Sequence, residues 1–183
     1  MTETTAVPQD PTSGGGRPRL GHTATSAVTD WMSQAARSPS AALATWRLGE
    51  QVPLHTGRVW DLVEVDLELA RGAMTELTEA SEHVGPHLVS GMERAAWVLL
   101  PLGTSYRLAG LKGVLVHAAG WPLLAPPPGR YVGDRTWVLP GHGGHGGDEE
   151  GEPWKRLTPA DALREAVHHV HGQRRRGKAA RYR

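Results

Sequence analysis

The sequence contains no cysteine and no phenylalanine, and each absence narrows what the chain can be. Without cysteine there is no disulfide and no thiolate metal site, so cysteine-based zinc proteins are excluded. Without phenylalanine, the seven tryptophans must supply most of the aromatic core volume. No apolar run approaches the ~20 residues that a membrane-spanning helix requires. The N-terminal segment lacks the apolar stretch of a signal peptide, so we expect a cytoplasmic protein with no membrane partner.

Motifs of two common enzyme classes are also missing. The sequence has no G-x-x-x-x-G-K-[ST], which is the phosphate loop of P-loop NTPases. Ser90 and Ser105 could be combined with a histidine into a hydrolase triad, but neither serine lies in a G-x-S-x-G nucleophile elbow. We therefore discount both enzyme classes.

Glycine and proline are plentiful, and the basic residues are unevenly distributed. The 23 glycines and 14 prolines among 183 residues predict a fold rich in turns, with room for one domain. The last eleven residues, QRRRGKAARYR, hold six of the 20 basic residues and none of the 19 acidic ones. Residues 1–25 have few apolar anchors, so we expect a disordered tail there, a domain at 26–172 and a disordered basic tail at 173–183.

Apolar residues recur at helical spacing in four segments. The first contains Val28, Trp31, Met32 and Ala35, and the second is capped by Ser38 and Pro39 and contains Leu43 and Trp46. The third contains Ala70, Ala73, Met74 and Leu77, and ends at Gly85-Pro86. In the fourth, Thr158 is the predicted N-cap and Pro159 the first helical residue, followed by Leu163, Ala166, Val167 and Val170.

Short apolar runs bounded by glycine or proline predict strands, among them WDLVEVD at 60–66, WVLLP at 97–101, WPLLAPP at 121–127 and RTWVLPG at 135–141. Interleaved strands and helices predict an α/β (α+β) protein with a mixed sheet covered by helices. We expect one sheet to contain Trp60, Val63, Val65, Trp97, Leu99 and Val138. Onto it should pack Val28, Met32, Ala73, Met74, Leu163 and Val167.

The strand WDLVEVD carries two carboxylates on one face. Because side chains alternate along a strand, Glu64 and Asp66 point the same way and Val63 and Val65 the other. A carboxylate-x-carboxylate strand is one way to hold a catalytic cation, and a half-buried strand with a polar outer face gives the same pattern. The residues alone leave both interpretations open.

The order of three segments resembles a known family over residues 27–171. WDLVEVD, GPHLV at 85–89 and TWVLPG at 136–141 are similar to strands of the N-terminal primase-polymerase (prim-pol) domain of the archaeo-eukaryotic primase superfamily. In active members of that family an Asp-x-Asp strand binds divalent metals, and the resemblance assigns this role to Glu64 and Asp66. A histidine that contacts nucleotide phosphates falls on Arg94, and a third acid falls on Leu115.

These replacements imply a degenerate catalytic site. Leu115 cannot bind Mg²⁺, and Arg94 can hold a phosphate but would repel a nearby cation. The resemblance therefore implies a catalytically degenerate primase/polymerase-like domain that serves as an accessory module binding nucleic acid or a protein partner. It implies no cofactor, or weakly bound Mg²⁺ or Mn²⁺ at Glu64 and Asp66. The alternatives are an active metal-dependent DNA primase or polymerase and a non-enzymatic structural interaction protein.

The C-terminal basic residues are the clearest nucleic-acid signal in the sequence. We expect DNA or RNA to bind through Arg174, Arg175, Arg176, Lys178, Arg181 and Arg183, since each neutralised phosphate releases counterions. The alternative is a solvated tail that only aids solubility.

Two groups of histidines remain. His142 and His145, with Asp148, have the side chains of a metal site but lie in a glycine-rich loop, which favours a solvated linker. His168, His169 and His171 are predicted near the end of the last helix, where a cationic histidine interacts favourably with the helix dipole.

Overall fold

A computed structural model of the chain describes residues 20–140 and 152–180. Within these residues the helices are α1 (Leu20–Ser33), α2 (Pro39–Arg47), α3 (Leu67–Glu79) and α4 (Ala160–Ala180), with two short 3-10 turns at Ser105–Leu108 and Pro153–Lys155. The strands are β1 (Val52–His55), β2 (Asp61–Asp66), β3 (His87–Ser90), β4 (Ala95–Leu100), β5 (Val114–Val116), β6 (Pro122–Ala125) and β7 (Arg135–Val138). The predicted α+β class is confirmed.

Five strands form the main sheet in the order β5-β2-β4-β3-β7, and β1 pairs with β6 in a separate two-stranded ribbon. Every pair of named strands is antiparallel, so the sheet is more uniform than the mixed sheet that we predicted. All six residues of β4 are buried. A central strand that is covered on both faces has apolar residues at every position, and the β4 sequence AAWVLL follows this pattern.

Helices or the ribbon cover each face of the main sheet. Leu62, Trp97 and Leu99 belong to a core shared with α1, α2 and the ribbon. Val63, Val65 and Val98 belong to a second core formed with α3 and α4. The sheet residues that we predicted lie in β2, β4 and β7, apart from Trp60, which directly precedes β2. The predicted helical residues pack into the two cores.

Both predicted domain boundaries lie inside helices. The boundary at residue 25 falls within α1, which begins at Leu20. The boundary at residue 172 falls within α4, whose backbone stays helical to Ala180. Arginine, lysine and alanine are good helix formers, so a polar composition does not by itself end a helix that the core has already started.

Capping was predicted correctly for α2 and incorrectly for α4. Ser38 caps α2 by accepting a hydrogen bond from the Ala41 N–H at 3.4 Å. At α4, the Thr158 hydroxyl instead accepts the N–H of Gly85 at 2.9 Å, and the helix begins at Ala160. Within the described ranges, no helix has the length and apolar character needed to cross a membrane.

Candidate functional site

Glu64 lies on β2 with its carboxylate held by two neighbouring side chains. The register places Trp97 of β4 opposite Glu64, and the Trp97 indole N–H donates to Oε2 at 3.2 Å. His117, just after β5, donates from Nε2 to the same oxygen at 3.0 Å. Its ring stacks on Trp121 with centroids 3.7 Å apart. A hydrogen bond to a charged group contributes about 1.5–3 kcal/mol to folding stability. These two bonds therefore fix the Glu64 carboxylate in place, rather than leaving it freely solvated.

The other two acids of β2 accept backbone hydrogen bonds. Asp66 Oδ1 accepts the N–H groups of Glu68 and Leu69 at 3.1 and 3.2 Å, which makes Asp66 the N-cap of α3. Asp61 Oδ2 accepts the N–H groups of Thr104 and Ser105 at 2.9 and 3.1 Å, at the start of the first 3-10 turn. All three carboxylates of this strand therefore stabilise the local fold.

Within the described part of the chain, the acidic residues of β2 do not belong to a cluster of side chains that could coordinate a metal ion. Across residues 20–140 and 152–180, no group of three or more histidine, aspartate or glutamate side chains is close enough to hold a metal ion. Mg²⁺ would have to be held by Glu64 and Asp66 with water, while each already accepts hydrogen bonds. Weak Mg²⁺ or Mn²⁺ binding at this pair stays a prediction.

The positions to which the resemblance assigns catalytic roles lie at one corner of the sheet. Leu115 is the Cα partner of Glu64 on β5, and it is 56% exposed. Arg94 lies in the exposed turn before β4, directly before Ala95, the partner of Asp66. Its φ of 53° is in the left-handed region, and its carbonyl accepts the Leu67 N–H at 2.8 Å. The position beside Glu64 thus presents an apolar side chain where a metal site needs an oxygen ligand.

A network of charged side chains from β7 and from the turn before β4 contacts the ring of Trp97. The Arg135 guanidinium lies over the Trp97 ring at 4.7 Å from the centroid, and its Nε donates to Glu93 at 3.0 Å. Asp134 accepts from the Ser90 hydroxyl and the Met92 N–H, and these bonds lower the pKa of its carboxyl.

Glu93, Asp134 and Arg135 line one side of an open cleft of about 650 Å³ that continues to Glu50 and Gln51. Arg135, Glu93 and Asp134 each already have a partner within the protein. The network therefore ties β7 to the turn between β3 and β4.

The predicted nucleic-acid residues lie on α4 or beyond it. Arg174, Arg175 and Arg176 are exposed on the helix, and Lys178 also belongs to α4. Arg181 and Arg183 lie outside the described residues, as do His142, His145 and Asp148 of the predicted linker.

The three histidines near the predicted helix end lie within α4, because the helix continues to Ala180. The expected interaction with the end of the helix dipole is therefore wrong for this segment. His169 contacts the Glu76 carboxylate on α3. His171 donates from Nε2 to the Lys112 carbonyl at 3.0 Å, on the side facing the loop before β5. His169 and His171 therefore join α4 to its neighbours.

Sequence reasoning missed His117 and Trp97. Alternation along VLVH puts His117 on the same face as Leu115, so the sequence did carry a signal for His117. No pattern within either strand indicates that Trp97 lies opposite Glu64, because that pairing depends on the register between β2 and β4.

Comparisons of the chain with models of known protein families, with curated proteins and with solved structures gave no match.

Proposed function

We propose that this chain is a non-catalytic module that binds nucleic acid through the basic side of α4, with the prim-pol-like domain as its scaffold. The observation that carries the proposal is the length of α4, which stays helical to Ala180. Residues 173–180, which we had expected to belong to a disordered tail, instead continue a helix that packs on the domain.

One side of α4 carries a continuous series of basic residues, which we call the basic stripe. Arg164, His168, His171, Arg175 and Lys178 follow one another at steps of four, three, four and three residues, within about 80° of one another around the helix. Arg164, His168 and Arg175 are exposed. At 1.5 Å per residue the stripe is about 21 Å long, comparable with about six phosphate spacings along one strand.

The opposite side of α4 has a different charge environment. His169 and Gln173 turn toward Glu76 of α3, and Gln173 donates to its carboxylate at 2.8 Å. Glu76 therefore lies on the α3 side of the helix, opposite the basic stripe, and Asp161 and Glu165 of α4 lie beside the N-terminal part of the stripe. A polyanion is therefore expected to contact mainly the C-terminal part of the stripe, around Arg175.

The corner around Glu64 supports the non-catalytic part of the proposal. Glu64 and Asp66 are both engaged in hydrogen bonds within the protein, and Leu115 offers no oxygen ligand. Two-metal phosphoryl transfer requires carboxylates that hold two cations about 3.5–4 Å apart. We expect no primer extension with Mg²⁺ or Mn²⁺.

The binding test compares two triple variants that lose the same charge. One carries Arg164→Gln, Arg175→Gln and Lys178→Gln in the basic stripe. The control carries Arg47→Gln, Arg130→Gln and Arg156→Gln at exposed positions elsewhere. Binding of a labelled 20-nucleotide single strand and of a duplex is followed by fluorescence anisotropy between 50 and 200 mM salt.

For the stripe variant we expect at least tenfold weaker binding. We also expect a slope of log K against log salt that is smaller in magnitude by about 2 to 3, because up to three phosphate contacts are lost. The control should bind like the natural protein, and all three proteins should melt at the same temperature. Equal losses in both variants, or no binding by the natural protein at 50 mM salt, would rule the proposal out. Primer extension abolished by Glu64→Gln would favour the active polymerase instead.

A further inference from the structure

The C-terminal part of α4 is exposed on several sides, unlike the part that packs on the domain. Val170 is the last buried residue among those described in this helix, and residues 173–176 are all exposed. Successive residues of an α-helix point about 100° apart, so Arg174, Arg175 and Arg176 together cover about 200° of the helix circumference. Because all three are exposed, most of the helix surface at this level is open to solvent.

Side-chain contacts on two sides fix the direction in which α4 leaves the domain. His171 donates to the Lys112 carbonyl at 3.0 Å, in the loop before β5. Gln173 donates to the Glu76 carboxylate of α3 at 2.8 Å. Both contacts lie directly before the three arginines. The exposed part of the helix is therefore held at a defined angle to the domain.

The exposed part of α4 carries positive charge without a counter-charge. After Glu165 the sequence contains no acidic residue up to Arg183. Within residues 20–140 and 152–180, none of the guanidinium groups of Arg174, Arg175 and Arg176 forms an ion pair with a carboxylate. Neighbouring positive charges repel one another, so this set favours a polyanionic ligand that surrounds the helix.

We infer that the exposed C-terminal part of α4 binds in the major groove of double-stranded DNA, an inference that rests on the proposed binding of nucleic acid by this helix. The major groove of B-form DNA is about 12 Å wide and 8.5 Å deep, and the minor groove is only about 6 Å wide. An α-helix with its side chains is about 10–12 Å across, so it fits the major groove alone. From Val170 to Ala180 the helix continues for about 15 Å, which exceeds the groove depth.

The three arginines have different positions relative to such a groove. When Arg175 of the basic stripe points toward the base edges, Arg174 and Arg176 point about 100° to either side, toward the phosphates of the two strands. We call Arg174 and Arg176 the flanking arginines. A guanidinium binds phosphate through two hydrogen bonds, and it binds O6 and N7 of guanine in the same manner. Contact on both sides of the helix therefore requires two strands.

Other nucleic acids fit the same helix less well. Double-stranded RNA has a deep, narrow major groove that side chains cannot read. A single strand presents one row of phosphates, which leaves one flanking arginine without a partner. Proteins that bind single strands commonly stack bases on aromatic side chains, and residues 173–176 include none. The geometry of the helix therefore favours a DNA duplex.

The test measures the binding of a labelled 20-base-pair DNA duplex, an RNA duplex of the same sequence and a 20-nucleotide single strand by fluorescence anisotropy. The flank variant carries Arg174→Gln and Arg176→Gln, and the matched control carries Arg47→Gln and Arg130→Gln at exposed positions. Arginine and glutamine have similar helix propensities, so all these proteins should melt at the same temperature. Competition with methyl green, which occupies the major groove, and with netropsin, which occupies the minor groove, identifies the groove that is bound.

The natural protein and the control should bind the DNA duplex at least tenfold more tightly than the RNA duplex or the single strand. The flank variant should lose at least tenfold in affinity for the DNA duplex, but less than threefold for the single strand. Methyl green should displace the protein from the duplex, and netropsin should not.

Three results would overturn the inference: a flank variant that binds the DNA duplex like the control, equal affinity of the natural protein for all three nucleic acids, or displacement by netropsin alone. In each case, weaker binding by the stripe variant would leave the proposed function in place, so the two can fail separately. A natural protein that binds no nucleic acid would overturn both.

Discussion

The acidic residues of β2 show how one residue type serves three structural purposes in a single strand. Asp61 caps a 3-10 turn, Asp66 caps α3 and Glu64 anchors Trp97 and His117. An acidic residue on a strand can serve as a metal ligand or simply be solvated. Here each acid has a fixed donor, which neither sequence interpretation foresaw.

Replacing Asp66 tests its role as a cap. Asp66→Ala removes the acceptor of two backbone N–H groups at the start of α3, and N-cap losses of this kind cost about 0.5–2 kcal/mol. Asp66→Asn should stay within about 0.5 kcal/mol of the natural protein, because asparagine caps helices nearly as well. Urea unfolding gives both values. Equal stability of the alanine and asparagine variants would mean that the capping bonds contribute nothing.

The sequence predicts the face of the sheet to which a side chain points better than it predicts the hydrogen-bond partner of that side chain. Alternation along WDLVEVD correctly placed Glu64 opposite to Val63 and Val65. The same alternation cannot identify Trp97 as the donor to Glu64, because 33 residues separate them in the chain. Strand register depends on packing of the whole sheet, and a shift of one residue would reverse every face.

At the scale of secondary-structure elements, Gly85 is the point where the chain before β3 meets the start of α4. Its N–H donates to the Thr158 hydroxyl, and nearby the His83 side chain bonds the Arg156 carbonyl at 2.8 Å. A Cβ at Gly85 would lie 2.6 Å from the Thr158 nitrogen and 2.9 Å from the Arg156 oxygen. The two backbones therefore approach too closely for any side chain.

We expect Gly85→Ala to be destabilising. The clash is with backbone atoms rather than a flexible side chain, so one segment must move, and overpacking of this kind typically costs about 1–3 kcal/mol. Gly91→Ala is the matched control, since a Cβ there meets no atom within 4 Å. It should be neutral or slightly stabilising in thermal and urea unfolding. A Gly85→Ala protein as stable as the control would show that these backbones separate without cost.

The existence of the helices was easier to predict than their ends. The apolar spacing of Val28, Trp31 and Met32 correctly located α1, and that of Leu163 and Val167 located α4. The end of α4 was missed because it depends on helix propensity beyond the last core contact. Its start was missed because the Thr158 hydroxyl accepts from Gly85, a contact that the sequence does not show.

At the scale of the whole molecule, the two cores differ in composition. All seven tryptophans lie in or against the core on the α1 and α2 side, where three indole N–H groups bond to Glu64, Ala125 and Pro126. Among the described residues, the core under α3 and α4 contains no aromatic side chain. The lack of phenylalanine predicted a tryptophan core but not its confinement to one face. That confinement again depends on the position of each tryptophan in the strand register.

Two buried histidines make the stability of the whole fold sensitive to mild acid. Burial lowers the pKa of His87, although its hydrogen bond to the Gly85 carbonyl partly opposes this effect. Burial and the nearby Arg37 and Arg58 lower the pKa of His55. Each ring therefore binds its proton less readily in the folded chain than in the unfolded chain, whose histidine pKa is about 6.5.

The direction of the pH effect follows from proton binding. Below about pH 6.5 the unfolded state binds more protons, so the free energy of unfolding falls as the pH falls toward the lowered folded pKa values. We expect it to be nearly constant from about pH 8 to 7 and to decrease toward pH 5, with a limiting slope of about 1.4 kcal/mol per pH unit for each histidine.

Urea unfolding in phosphate-free buffer at about pH 7.5 and 5.5 measures the effect. Both pH values lie above the range near pH 4 in which ordinary carboxylates titrate. His87→Gln should reduce the difference between the two pH values, and His55→Gln with His87→Gln should remove most of it. His83→Gln is the matched control, because the ring of His83 is less buried than those of His55 and His87 and bonds to the Arg156 carbonyl at an exposed position. A natural protein equally stable at both pH values, or a double variant that keeps the full difference, would contradict the assignment of acid sensitivity to these two rings.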